Sequence, residues 1–390
     1  MAQQRETQDA RQAPNPVPAP EPPLMHIAAA VARETGADLV LQTLEIEAPR
    51  PDELLIRIVA AGVCHTDIAM RDQVFPVPMP VVLGHEGAGI VEQVGAEVTD
   101  FAPGDHVLMS FRACGDCASC GAKLPGYCHH FYDLNFAAQR RDGSTSLTCE
   151  GVAVHSHFFG QSCFAGYVVA HHSNVVKVAA DAPLDILAPF GCGIQTGAGA
   201  ILNALKVPAG AAVAVFGTGS VGLSAVMAAK IAGAAVIVAI DKNQSRLALA
   251  RELGATHTVT AGADPVVERI REITGGGVGY AVDTTALPPV ILQGVAALAP
   301  RGVMGLIGAS RPDEELHLNI IDLLTQGKHV RGIIEGDAVP ATFIPELIAL
   351  HAAGKFPVEK MLTFYPFAEI NQAIHDSEAG TTVKAVLRMG

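Results

Sequence analysis

The 390-residue chain is 49% hydrophobic and 17% charged, enough apolar material for a large buried core, and its length suits two domains better than one. Against 39 Asp+Glu stand only 26 Lys+Arg, a formal net charge of -13 at pH 7, and no dense basic cluster is present, so nucleic-acid binding is disfavoured. No uninterrupted apolar stretch reads as a membrane span and the polar opening lacks the apolar centre of a secretory signal, so a globular, cytoplasmic α/β protein is expected.

The opening Met1 to Ala10 is polar and is followed by Pro14, Pro16, Pro18, Pro20, Pro22 and Pro23. Prolines lack the backbone donor, so residues 1–24 are predicted to be a flexible extension. From His26 to Glu47 the pattern is that of hairpin strands, Leu54–Ala60 is β-rich, and Val81–Val94 mixes β-branched residues with glycines. Phe101–Met109 reads as a turn and a strand, and Gly166–Ala179 returns to strand-like alternation.

Near Gly191 the texture changes. Ala211–Phe216 is a buried strand candidate, GTGSVG its turn and Leu223–Ala232 the next helix; Val236–Ile240 is a second strand and Gln244–Leu253 a second helix, ending at Gly254. Further strands are predicted at His257–Thr260, Gly279–Val282 and Gly302–Ile307, with a helix over Pro288–Leu298. This succession predicts a doubly wound, mostly parallel sheet. Past Gly332 come two helical stretches, Phe343–Ala353 and Phe367–Glu378, and a short strand, Thr382–Arg388. The division expected is 25–192 for a first, mainly β domain, 193–333 for a nucleotide domain, and 334–390 for a tail rejoining the first.

The glycines Gly217, Gly219 and Gly222 form GxGxxG directly after an apolar strand and at the start of an apolar helix. The first permits a tight turn, the second admits a pyrophosphate close to the backbone, and the third lets helix and strand approach, with Ser220 and Val221 on the helix end that faces the phosphates. Asp241 ends the second strand, where a carboxylate accepts from a ribose diol and repels a 2′-phosphate; this favours NAD over NADP. Lys242 beside it can hold a phosphate or bond the ribose, and Asp241 can also be an ordinary solvated strand end.

The eight cysteines are not scattered. Cys114, Cys117, Cys120 and Cys128 sit in one glycine-rich loop, and four thiolates around a closed tetrahedral ion make a structural zinc site; an iron cluster or a free-thiol loop are the alternatives. Cys64 in GVCHTD, His85 in GHEG and Cys192 in GCG are far apart in sequence. If the fold joins them, two thiolates and one imidazole leave a fourth corner open for water or substrate, a catalytic zinc geometry. Asp67 is placed to fix the tautomer of His85. Glu86 either tunes the metal field or makes a salt bridge, and Thr66 offers a hydroxyl for a proton relay.

GVCHTD, GHEGAGIVEQVG, the four-cysteine block, GCGIQTGAGA and VFGTGSVG together resemble the zinc-containing medium-chain alcohol dehydrogenase family, over roughly residues 26–390. The resemblance implies a GroES-like, mainly β catalytic domain with a Rossmann coenzyme domain, NAD as coenzyme, and two zinc ions per chain. It also implies an alcohol or aldehyde substrate and a homodimer or homotetramer. It assigns the catalytic zinc to Cys64, His85 and Cys192 and the structural zinc to Cys114, Cys117, Cys120 and Cys128. The proton relay begins at Thr66; His65 and Lys384 fall where relatives face the coenzyme pyrophosphate, and Thr196 near the nicotinamide. Ala69 stands where many animal relatives have a relay histidine. Within the family, CHTD and RGIIEGDAVPATFIPELIAL look like aryl-alcohol or benzyl-alcohol dehydrogenases, with Phe111 and Phe131 as candidate pocket-lining residues. Allylic, aliphatic and S-hydroxymethylglutathione-type alcohols are alternatives, and a noncatalytic NAD sensor is the remote one.

Overall fold

The computed structural model describes residues 24–390, so the expectation for residues 1–24 lies, all but Leu24, outside the described residues. Strands Met25–Ala32 and Val40–Ile46 form the expected antiparallel hairpin, running from Met25 opposite Ile46 to Val31 opposite Val40. Short strands Val81–Val82, Leu147–Cys149 and Val152–Val154 complete this five-stranded sheet.

A second, seven-stranded sheet is organised around Glu53–Gly62. Most of this strand's side chains are buried on both faces, which is why it reads as a continuous apolar run rather than an alternation. It pairs antiparallel with Gly87–Val94, Tyr167–His171 and the last strand of the chain, Lys384–Arg388. Strand Lys384–Arg388 therefore lies in the same sheet as Gly62, the first residue of GVCHTD, two residues before Cys64.

The third sheet is six-stranded and parallel, in the order His257–Thr260, Val236–Asp241, Ala212–Phe216, Val278–Asp283, Leu298–Leu306, His329–Gly332. The strand order reverses beside Ala212–Phe216, and in doubly wound sheets that crevice, at the carboxyl ends of the strands, is where ligands bind. The helix after the glycine turn begins at Ser220 rather than Leu223, because GTGSVG itself supplies its first turn. Three elements of this lobe were not expected from the sequence. Helix Val266–Thr274 buries only Val266 and Ile270, helix Ile320–Gln326 buries nothing, and edge strand His329–Gly332 is largely exposed; all three are short and little buried.

The lobes are fused through one apolar core. Ala60, Ala88, Leu108 and Val386 of the β lobe share a cluster with Val213, Leu223 and Val226 of the parallel-sheet lobe. The helix Gly193–Gly199 and its continuation Ala200–Ala204 lie at this junction. A Cβ on Gly197 would stand 2.0 Å from the Val221 carbonyl oxygen, and one on Gly199 would stand 2.3 Å from that of Gly336. The glycines of GCGIQTGAGA thus allow the close crossing that holds Cys192 and Thr196 against the glycine turn. Among the described residues no helix is long and apolar enough to cross a membrane.

Candidate active site

Helix His65–Arg71 starts with a capping box in which Asp67 turns back to its own N-cap. One Asp67 oxygen accepts from the Cys64 amide at 2.9 Å, and the other accepts from the Gly84 amide at 3.0 Å and lies 2.8 Å from His85 Nδ1. A single buried carboxylate therefore ties the two segments that carry Cys64 and His85. From the other side the His85 ring is stacked on Phe159, with centroids 4.4 Å apart, and Gln161 Nε2 donates to the His85 carbonyl at 2.9 Å.

Cys192 arrives from the lobe junction. The Cys64 and Cys192 sulfurs, a ring nitrogen of His85 and a carboxylate oxygen of Glu86 all lie within 4.8 Å of one another. With Nδ1 held by Asp67, His85 Nε2 is buried and has no hydrogen-bond partner, an arrangement that costs stability unless a ligand takes that nitrogen. Two thiols and an imidazole with a free Nε2 are the donor set for zinc. The neighbouring Cys192 thiol, with Lys384 and His85 close by, draws the Cys64 thiol well below its ordinary range against the effect of burial.

Glu86 is fully buried, and burial pushes its carboxyl up to about 7 in spite of Lys384. Lys384 Nζ lies 2.7 and 2.6 Å from its two oxygens and also donates to the Val63 carbonyl at 2.9 Å. The salt bridge weighed for Glu86 therefore exists alongside its approach to the ligand cluster. Gly62 makes room for it, since a Cβ there would stand 2.0 Å from the Glu86 carboxylate.

Cys114, Cys117, Cys120 and Cys128 form a second cluster, again with sulfurs within 4.8 Å of one another. Cys117 and Cys120 are 3.5 Å apart and Cys114 and Cys120 3.9 Å, around the edge of about 3.8 Å for a tetrahedron with Zn–S bonds near 2.3 Å. Backbone amides of Cys114 and His130 donate to Cys128 and that of His129 to Cys117; the His129 amide draws the Cys117 thiol down to about 6. All eight cysteines are free thiols, and the donor chemistry again fits zinc.

A cleft of about 420 Å³ runs along the switch point, lined by Gly217, Gly219, Ser220, Val221, Asp241, Lys242, Arg246, His65 and Lys384. The three glycines differ in what requires them. Gly217 has φ +87, and a Cβ on Gly222 would stand 1.9 Å from the Gly217 carbonyl oxygen, whereas a Cβ on Gly219 would meet nothing within 4 Å. Space beside Gly219 is open to an occupant of the cleft. Asp241 accepts from the Thr218 amide and hydroxyl at 2.7 and 2.8 Å and from the Asn243 amide at 2.9 Å, so it also braces the glycine turn.

This cleft meets a second cavity of about 490 Å³ at Cys64, His65, Val221, Thr284 and Thr285. Thr66, Cys192 and Thr196 line the second cavity, and its apolar wall includes Met70, Phe75, Phe131, Phe136 and Phe159. Of the two phenylalanines singled out from the sequence, Phe131 lines this space. Phe111 does not: it is 3% exposed and packs in the core with its ring 5.7 Å from that of Phe131. Ala69 lines neither cavity.

The chain is similar to known proteins over both lobes. A family model of the alcohol dehydrogenase GroES-like domain matches residues 50–180, and one of zinc-binding dehydrogenases matches residues 220–352. The chain is 47% identical over 361 residues to the geraniol dehydrogenase of Castellaniella defragrans, spanning 92% of this chain and 96% of that one. It belongs to the zinc-dependent medium-chain alcohol dehydrogenase family.

Two solved structures resemble this alcohol dehydrogenase over nearly its whole length. The benzyl alcohol dehydrogenase of Acinetobacter calcoaceticus superposes with a TM-score of 0.92 at 46% identity, covering 94% of this chain and 100% of that one. An alcohol dehydrogenase zinc-binding domain protein from Burkholderia ambifaria gives a TM-score of 0.93 at 51% identity over the same shares. The GroES-like and Rossmann-type architecture expected from the sequence is therefore that of the enzyme.

Several residues of the dehydrogenase's site escaped the sequence reading. Phe75, Phe136 and Phe159 converge on the cavity from separate segments, and no spacing rule links them. Arg246 joins the coenzyme-side cleft from the helix after Asp241. Glu335 is buried at the metal-site cavity, where desolvation pushes its carboxyl up to about 7; the signal for it was the acidic pair Glu335 and Asp337 inside the otherwise apolar stretch GIIEGDAV.

Proposed function

We propose that the enzyme catalyses the NAD-dependent, reversible oxidation of primary alcohols to aldehydes, with aryl or benzyl alcohols as the preferred class. The observation that carries this reading is the convergence of Cys64, His85 and Cys192 at the point where an apolar, phenylalanine-walled cavity meets the glycine-turn cleft. One zinc per chain is assigned to these three residues and a second, structural zinc to Cys114, Cys117, Cys120 and Cys128. When bound, zinc supplies Lewis acidity that lowers the proton affinity of an alcohol oxygen, and NAD supplies the hydride acceptor.

The chain's own residues do the rest. Asp67 holds His85 in the tautomer that presents Nε2 to the metal. The Thr66 hydroxyl, on the cavity wall next to Cys64, takes the proton leaving the alcohol and passes it towards His65, which is exposed and lines both cavities. With Ala69 at the position of the animal relay histidine, His65 would carry the proton on towards solvent, with a bound coenzyme's ribose or another group available to assist. Gly217, Gly219, Ser220, Val221 and Gly222 receive the pyrophosphate, Asp241 and Lys242 the adenosine ribose, and Thr196 the nicotinamide end. Lys384 lines the cleft and pairs with Glu86. The apolar wall excludes bulk water from the reacting carbon.

The phenylalanines favour a flat, unsaturated substituent, offering edge and face contacts to an aromatic ring or an allylic double bond. The geraniol dehydrogenase relative supports the allylic alternative as the benzyl alcohol dehydrogenase neighbour supports the aryl one. A glutathione adduct is disfavoured, because the cavity wall offers no Lys or Arg among the described residues to pair its carboxylates. The functional division is 25–192 with 334–390 for catalysis and 193–333 for coenzyme. We assign the enzyme to the cytoplasm as a homo-oligomer; exposed Ile320, Ile321 and Leu324 beside the open edge strand His329–Gly332 support self-association.

The test is kcat/KM with NAD and NADP over benzyl, cinnamyl, geranyl and straight-chain alcohols, together with zinc per chain. Two zincs, a preference for NAD and the highest values for benzyl-type alcohols are expected. Higher values for geraniol would move the assignment to the allylic class, and undiminished turnover in a zinc-loaded His85→Ala variant would remove the catalytic role given to this cluster.

A further inference from the structure

Glu335 is the one carboxylate among the described residues lining the cavity beside Cys64 and Cys192. A buried carboxyl is costly unless hydrogen bonds or charges compensate it. Here compensation is one-sided. One oxygen accepts from Thr196 Oγ1 at 3.1 Å and Gln195 Nε2 at 3.3 Å, whereas Oε1 meets only the Cys192 sulfur, 3.8 Å away. A thiol is a weak donor, so this oxygen, on a residue only 8% exposed, lacks a strong partner within the protein.

The backbone holds Glu335 in place. Glu335, Gly336 and Asp337 have φ of +50, +67 and +51, three left-handed residues in succession, and for the two that are not glycine this conformation is strained. Both sides of the turn are pinned. Asp337 accepts from the Tyr127 hydroxyl at 2.7 Å and pairs with Arg331, and a Cβ on Gly336 would stand 2.6 Å from the Gln195 carbonyl oxygen. The result is a rigid acceptor at the cavity wall awaiting an N–H or O–H from whatever enters.

Ile307, Gly308 and Ala309 of the coenzyme lobe belong to the same wall, and the cavity joins the glycine-turn cleft at Val221, Thr284 and Thr285. A dinucleotide laid across that turn delivers its nicotinamide here, and the carboxamide of nicotinamide carries two N–H donors. The single O–H of an alcohol is directed to the Cys64, His85 and Cys192 cluster instead. We propose that Glu335 is a coenzyme-binding residue whose carboxylate accepts a hydrogen bond from the nicotinamide carboxamide and thereby fixes which way the ring faces. This inference rests on the NAD reading of the cleft given above.

The chain contains no tryptophan, so binding is best followed by calorimetric titration. The zinc-loaded wild type, Glu335→Gln and Glu335→Ala are titrated with NAD+ and with its 3-acetylpyridine analogue, which keeps the carbonyl and lacks the amino group. The wild type is expected to bind NAD+ roughly tenfold or more tightly than the analogue, the effect of a hydrogen bond to a charged acceptor, and in Glu335→Ala the ratio should fall to within about threefold. A purely structural role would weaken both ligands alike and leave the ratio unchanged, which overturns the proposal. Should the alanine variant fail to fold or lose zinc, the isosteric Glu335→Gln decides, with at least a threefold fall in the same ratio expected. If the wild type binds no dinucleotide, the reading of the cleft fails first; if it binds NAD+ and the ratio does not move, only the role of Glu335 fails.

Discussion

Asp67 is the residue whose removal should most cleanly separate the metal frame from the rest of the enzyme. It is 2% exposed and receives the Cys64 amide, the Gly84 amide and the Nδ1 side of His85. Asp67→Ala leaves all three donors without a partner in a place water reaches poorly. Each orphaned donor costs about 1–3 kcal/mol, and partial relaxation brings the expected loss of stability to roughly 3–6 kcal/mol. With Nδ1 unrestrained the imidazole is free to change tautomer and turn, and loss of such a supporting carboxylate weakens zinc binding by about 10–100-fold. Urea unfolding of the metal-loaded protein and zinc analysis after timed dialysis against a chelator measure the two effects. The four-cysteine loop is an internal control, since Asp67 does not touch it, so the variant should settle near one zinc per chain while the wild type keeps two. An Asp67→Ala protein with the wild-type urea midpoint and wild-type zinc retention would refute the claim that these hydrogen bonds hold the ligand frame.

Two glycines of the coenzyme turn should behave oppositely. Gly219→Ala meets no protein atom, so its thermal midpoint should stay near wild type while NAD affinity falls; Gly222→Ala drives a methyl into the Gly217 carbonyl and should lose stability as well as binding, as thermal unfolding with and without NAD would reveal. Asp241→Ala should narrow the preference for NAD over NADP in kcat/KM and, because the carboxylate also braces Thr218 and Asn243, lower the melting temperature even without coenzyme; an unchanged melting temperature would argue against the brace. His157 is buried neutral, with desolvation holding its pKa down to about 3 against an ordinary 6.5. The unfolded chain takes up this proton first as the pH falls, so the contribution is full above about pH 6.5 and is lost progressively towards pH 3, amounting to roughly 3 kcal/mol at pH 4. Comparing urea midpoints of the wild type and His157→Asn from pH 7 to pH 4 checks this: asparagine tolerates the left-handed backbone there, and the variant should show the shallower acid slope.

What could be read from the sequence alone were the features whose cause is local. GxGxxG after an apolar run specifies a turn because Gly217 needs its positive φ and Gly222 its missing Cβ, and four cysteines in one loop can reach a common ion without help from the rest of the chain. Apolar runs of strand length likewise marked most of the central strands, since each is buried by its own composition. Tertiary structure decided what depends on distant segments meeting. Cys192 joins Cys64 and His85 only because the helices of the lobe junction cross closely enough for Gly197 to touch Val221. The substrate wall draws Phe75, Phe131, Phe136 and Phe159 from separate segments and leaves Phe111 behind them in the core. Glu335 enters the cavity by way of a left-handed turn pinned by Tyr127 and Gln195. A residue's chemical type is written in the sequence, but its neighbours, and hence whether it is solvated, paired or aimed at a ligand, are fixed only when the core closes around it.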